Sequence, residues 1–319
     1  MTVQQGIAVL ALGVALLSHV ADGSDTRHAP PSAARRLAPQ ALQQDGRVTL
    51  SPGFSPDGGT MYFAQSECAP IWECPQRLKR TRWTASGWSM PEPIALPGPG
   101  RSEAPSVSPD GRTLFFSWAT QRARHRGRDV REDFDLNALD LTDPKAVPVP
   151  IDDTDINRIR GGAIKTTQFV NNETAPTLTK SGDLYFWTER LDGIGERDVY
   201  VARSNGRGGF QRPRPLPPPI NSPARDDGAW VSSDGRTMLV TYVERGGEGG
   251  SDLFISVLRK GRWSKPVNLG PTVNSSFDEG GGRIAPDGRS IVFTSDRPTG
   301  VNGDRIYQIW TAPLPSDRH

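Results

Sequence analysis

The chain has 319 residues, among them 34 glycines and 29 prolines, with a formal net charge of +2. That length suits one large or two ordinary domains, and the near-balanced charge excludes binding to nucleic acid through bulk positive charge. Glycine and proline spread between short apolar runs read as the turns of an all-β protein rather than as disorder.

From the N-terminus, Ile7 to Leu17 is an unbroken run of apolar residues and glycine. It is too short to span a bilayer as a stable helix and reads as an export segment. Ala21-Asp22-Gly23 puts small residues ahead of a cut before Ser24. Residues 1–23 are therefore expected to be a signal peptide. No Lys or Arg precedes Ile7, so an uncleaved anchor and a buried element stay open as alternatives. No cysteine follows the run to carry a lipid, and no second apolar stretch is long enough to cross a membrane. Residues 24–35 read as a disordered linker and 36–319 as one domain.

Within that domain a signature occurs five times: Phe54-Ser-Pro-Asp-Gly58, Val107-Ser-Pro-Asp-Gly111, Leu178-Thr-Lys-Ser-Gly182, Val231-Ser-Ser-Asp-Gly235 and Ile284-Ala-Pro-Asp-Gly288. The intervals from Asp57 to Asp110, Ser181, Asp234 and Asp287 are 53, 71, 53 and 53 residues. A fixed period of this size means one supersecondary unit, copied and stacked on its neighbours. The fourth copy shows the unit most plainly. A short strand ends at Val231, Asp234-Gly235 supplies a tight turn, and Thr237 to Val243 is β-branched and apolar. Asp252 to Leu258 is a third strand, Gly261-Arg-Trp263 a turn, and Lys265 to Leu269 a fourth strand whose proline suits a sheet edge. Four hairpin-linked strands make a propeller blade, so the fold class is all-β, a single propeller of five four-stranded blades.

Each blade has its own deviation. Blade 1 carries the only cysteines, Cys68 and Cys74, which suggest a disulfide in an exported protein; two free thiols are the alternative. Blade 2 is longer by 18 residues and includes the basic stretch Arg122 to Arg128 and the run Asp152 to Asn157, insertions that belong in loops. Blade 5 has nine residues after Trp310 and no visible fourth strand. Leu37 to Leu42 resembles the missing strand, so residues about 36–43 are expected to complete the last blade and close the ring.

The signature with its apolar-aromatic strand, Gly250-Ser-Asp-Leu-Phe254, Gly261-Arg-Trp-Ser-Lys-Pro-Val-Asn-Leu269 and Val273-Asn-Ser275 together resemble the WD40-like, TolB-type propeller repeat of bacterial envelope proteins. The resemblance covers about residues 36–312. It implies an envelope location, periplasmic or secreted. Such repeats occur in translocation proteins, in peptidoglycan-associated proteins and as non-catalytic domains of peptidases. Five blades depart from the namesake's six plus a separate α/β domain, which puts that specific translocation role in doubt, and fold does not decide function.

Histidine is the sharpest filter for chemistry. His19, His28 and His319 lie near the termini, and only His125 is internal, among arginines. A Ser-His-Asp or Cys-His site would need it, and a cation-rich loop is a poor place for a base. No nucleophile elbow, phosphate-cradling loop or metal motif is present, so no cofactor or metal is expected. Carboxylates are the better candidates. Glu103, Glu173, Asp227 and Glu279 lie seven or eight residues before the signature's aspartate position, near the start of the innermost strand in blades 2 to 5. They are expected at one mouth of the central channel, as a site for a cation, a basic peptide or a sugar, or as caps of backbone between blades. Asp57, Asp110, Asp234 and Asp287 read as turn formers, as do Asp198, Asp252 and Asp304 before the third strands, and Trp88 and Trp263 as packing between blades. The expectation is a non-catalytic module that binds a protein or envelope polymer. The alternative is a carbohydrate-active enzyme using the mouth carboxylates.

Overall fold

The second strands are apolar on both sides, as in Met61-Tyr-Phe-Ala64 and Leu184-Tyr-Phe-Trp187, because each blade is sandwiched between two others. Strand side chains alternate in direction, so one strand feeds two interfaces. Met61 and Phe63 pack with Val292 and Ile309 of the last blade, while Tyr62 and Ala64 pack with Leu114 and Phe116 of the second. Five such clusters, one per interface, form the core. The structure, a computed structural model, describes residues 34–42, 47–68, 74–98, 100–119, 122–125, 128–132, 134–151, 155–157, 172–298 and 305–315, the two segments within 122–132 by backbone alone. The expected signal peptide and most of the expected linker lie outside the described residues. No helix among the described residues is long and apolar enough to cross a membrane.

The fold is a five-bladed β-propeller. The four-stranded paths, from the channel outward, are Val48–Phe54, Thr60–Ser66, Gln76–Thr84 and Gly87–Trp88 in blade 1; Arg101–Val107, Thr113–Ala119, Asp135–Asp140 and Val149–Pro150 in blade 2; Glu173–Leu178, Leu184–Thr188, Asp198–Ala202 and Arg214–Pro215 in blade 3; and Arg225–Val231, Thr237–Val243, Ser251–Arg259 and Arg262–Trp263 in blade 4. In blades 1 and 4 a further short strand, Glu92–Pro93 or Val267–Asn268, also pairs with the third strand. Blade 5 is Glu279–Ile284, Ser290–Ser295 and Gln308–Pro313, completed by Arg35–Arg36 from the N-terminus.

The closing strand begins one residue earlier and is shorter than the sequence pattern suggests. Arg35 pairs with Thr311 and Arg36 with Trp310, and the Leu37 N–H donates to Ile309 O at 2.9 Å. Ala38 then takes φ of 43° and residues 39–42 turn as a short helix, which ends the ladder. The helix delivers Leu42, fully buried, into the interface between blades 5 and 1. In blade 2 the extra residues include a hairpin, Arg122–His125 with Arg128–Glu132, inserted between the second and third strands. Cys68 and Cys74 form a disulfide.

The signature is turn chemistry. Asp57 Oδ1 accepts from Ser55 Oγ at 2.6 Å and from the Gly59 N–H at 2.9 Å, while Ser55 Oγ accepts from the Thr60 N–H at 2.9 Å. Ser108–Asp110 and Ser232–Asp234 repeat the contact. In blade 5 Ala285 replaces the serine, and Ser290 donates to Asp287 instead. Trp88 stands edge-on to Trp83 and flanks the cluster between blades 5 and 1, and Trp263 stands edge-on to Tyr185 between blades 3 and 4.

Candidate binding site at the channel mouth

Each innermost strand has a bulge at a residue with positive φ: Ser51, Ala104, Ala175, Gly228 and Gly281, at 52–67°. These five positions repeat the spacing of the signature and give the structural register of the inner strands. The residues just before them, Leu50, Glu103, Thr174, Asp227 and Gly280, line a cavity of about 390 Å³ at one end of the channel. The residues two before them, Thr49, Ser102, Glu173, Asp226 and Glu279, are fully buried. One residue of offset sends a strand side chain to the opposite face. The four sequence-predicted acids therefore divide. Glu103 and Asp227, seven residues before the signature position, line the mouth. Glu173 and Glu279, eight residues before it, are packed inside the sheets, although Glu279 still borders the cavity.

The buried acids belong to a recurring latch between blades. Glu173 Oε1 accepts from Arg190 Nη2 at 3.0 Å and from Thr188 Oγ1 at 3.2 Å, and Arg190 also donates to Ile156 O of blade 2. Glu279 Oε1 accepts from Arg297 Nη2 at 2.9 Å, from Ser295 and from Ser275, and Arg297 donates to Val273 O of blade 4. Asp226 accepts from Ser222 and lies 3.4 Å from Arg245, which donates to Ile220 O of blade 3 at 3.0 Å. Each arginine also lies over an aromatic ring, Arg245 over Tyr242 at 4.0 Å. Blade 1 has a neutral version: Gln65 Nε2 donates to Leu42 O and to Thr49 Oγ1. Burial pushes Asp226 up to about 6 and raises Glu279, against the pull of their donors. Asn157, Asn221 and Asn274 add a second repeated device. Each amide bonds both the N–H and the C=O of a third-strand residue, Leu136, Val199 or Leu253.

At the mouth, Glu103 Oε2 accepts from Gln76 Nε2 at 2.9 Å. Asp227 Oδ2 accepts from Arg197 Nη1 at 2.8 Å and from Arg225 at 3.4 Å. Arg197 stacks 4.7 Å from the Trp187 ring and donates from Nε to Glu189 Oε1 at 2.9 Å. Burial pushes Glu189 from the ordinary 4.5 up to about 7, in spite of Arg197. Glu189 Oε2 and Asp227 Oδ1 are buried side-chain oxygens without a hydrogen-bond partner. The mouth thus combines two acids on blades 2 and 4, two arginines and an indole, a mixed-charge surface suited to a polar, hydrogen-bonding ligand.

Arg197, Arg225, Trp187 and Glu189 are not distinguishable in the sequence, since none occupies a repeated position of the signature. Asp226 was within reach: counting seven against eight residues before the signature separates it from Asp227. The His125 side chain lies outside the described residues.

No family model matches the chain and no curated protein matches it by sequence. Solved structures do. An α-L-arabinofuranosidase from Lactobacillus brevis superposes with a TM-score of 0.53 at 14% identity, over 88% of this chain and 99% of that one. A family 117 glycoside hydrolase from the marine bacterium Zobellia galactanivorans gives 0.53 at 14% identity, over 92% and 93%. At such identities the likeness is one of fold. TolB propellers are also among the structures this chain is similar to: TolB from Acinetobacter baumannii gives 0.44 at 16% identity, over 85% of this chain. The chain spans only 55% of that TolB's length.

Proposed function

We propose that the protein is an exported, non-catalytic binding module that takes a protein or envelope-polymer partner at the mouth built by Glu103, Asp227, Arg197 and Arg225. The observation that carries this reading is the arrangement of the mouth acids. They stand on non-neighbouring blades, each already tied to a donor of its own chain, around an open cavity. Such a rim offers donors and acceptors of both signs, which orients a partner. The Cys68–Cys74 disulfide supports an oxidising compartment, periplasmic or extracellular.

The test is capture of partners from an envelope fraction by immobilised wild-type protein and by a Glu103→Gln/Asp227→Asn variant. Loss of two charge-assisted contacts should weaken capture about tenfold or more. The folded fraction of Glu173→Gln should capture normally while unfolding more readily. Capture unchanged in the mouth variant would sink this reading.

One observation favours a second reading. Glu189, whose carboxyl burial raises to about 7 beside Arg197, has the character of a general acid, as the carbohydrate-active alternative requires. Turnover of a glycan panel that disappears in Glu189→Gln would establish it. No turnover by wild-type protein on any glycan in the panel would exclude it.

A further inference from the structure

The opposite end of the channel carries a different chemistry. Two residues beyond each bulge, again at the repeat spacing, stand Gly53, Ser106, Thr177, Trp230 and Arg283. They line a cavity of about 360 Å³, bordered by signature-turn residues such as Pro56 and Pro109. No carboxylate is among the described residues lining it, and Arg283 and Lys180 both are. Arg283 is 4% exposed. Its Nη1 donates to Gly282 O at 3.0 Å, and its Nε has no hydrogen-bond partner. No ion pair reaches it among the described residues. Burial lowers the group to about 10, still cationic at neutral pH. Thr177 Oγ1, on blade 3, is likewise buried and without a partner.

A guanidinium taken out of water without a counter-charge is costly, and buried charges in folded proteins are paired. The other buried arginines among the described residues, Arg190 and Arg197, each have a carboxylate, as do the partly buried Arg245 and Arg297 of the latches. Arg283 is different, and it occupies a cavity whose size suits a small ligand. We propose that the signature-turn end of the channel is a binding site for a small oxyanion, a carboxylate or a phosphate, held by Arg283 with the Thr177 hydroxyl and the Lys180 ammonium, and walled by Trp230. The guanidinium presents a planar fork that matches either oxyanion, whereas chloride cannot use two parallel donors. The site is independent of the mouth around Asp227.

Titration of the full chain with sodium phosphate, sodium acetate and sodium chloride, followed by calorimetry and by tryptophan fluorescence, tests this. Saturable binding of phosphate or of acetate, with none of chloride, is expected, and the tighter of the two identifies the oxyanion. Arg283→Gln should bind about tenfold more weakly or worse. It should lose the ligand-dependent rise in Tm while remaining at least as stable as wild type without ligand, since a buried lone charge has been removed. Should Arg283→Gln fail to fold, Lys180→Gln, at an exposed turn position of the same cavity, keeps the test: oxyanion binding should weaken severalfold, and unchanged binding would overturn the site. Absence of saturable binding of both oxyanions by wild type, or equal binding and equal Tm shifts in Arg283→Gln, would overturn the site.

Discussion

Glu189 lies buried beside Arg197, and its carboxyl holds its proton up to about pH 7, whereas an exposed glutamate releases it near 4.5. Between those values the folded chain binds a proton that the unfolded chain has lost. Stability conferred by the neutral carboxyl is full below about 4.5 and declines as pH rises towards 7, by at most about 1.4 kcal/mol per unit for this group. Asp226, raised to about 6 by burial, acts in the same direction over a lower window. Urea unfolding at pH 5 and at pH 7.5 should therefore show wild type weakening by about 3–4 kcal/mol, most of it from Glu189. Glu189→Gln, which cannot ionise, should weaken by clearly less. An identical pH dependence in the two proteins would disprove the assignment. At this scale, the sequence shows an acid and an arginine eight residues apart but not that both are buried, and burial produces the shift.

Elements here are held by devices that copy themselves from blade to blade. Asn274 is fully buried, with its Oδ1 accepting from the Leu253 N–H and its Nδ2 donating to Leu253 O, both at 2.9 Å. The side-chain amide stands in for a neighbouring strand where the fourth strand has ended. Asn274→Ala leaves the Leu253 N–H buried and unpaired, while Leu253 O keeps the Leu269 N–H at 3.1 Å, and should cost about 1–2 kcal/mol in chemical denaturation. A loss under about 0.5 kcal/mol would mean that water replaces the amide. Asn157 and Asn221 do the same for blades 2 and 3. The strands themselves were legible from their apolar runs and turn signals. The Val273-Asn274-Ser275 motif was legible too, but not its role, because its partner Leu253 is reached only through the fold.

For the whole ring, closure depends on a segment remote in sequence. Arg35–Arg36 and the Leu37 N–H finish blade 5, and Leu42 seals the interface with blade 1, where its carbonyl also receives Gln65. Leu42→Ala should cost about 3 kcal/mol, as for other fully buried leucines. A chain beginning at Arg47 should lose more and expose the Gln308–Pro313 edge. Thermal unfolding should then shift down, and light scattering should report self-association through that edge. A truncated chain that stays monomeric with an unchanged Tm would show that the ring does not need its closing segment.

The chain alone determined the number of blades and the need for an N-terminal closing strand, though not where that strand ends. These follow from hydrophobic period and turn chemistry, which are local and copied five times. The tertiary structure alone decided which acids meet the channel. Strand parity around each bulge turns Glu103 and Asp227 to the mouth and Glu173 and Glu279 into the blades. A bulge depends on how two strands pair, so it leaves no constant residue type: serine, alanine and glycine all occupy it. Likewise, only the ring places Arg283, from the last blade, opposite Thr177 of the third, where a solitary buried charge acquires meaning.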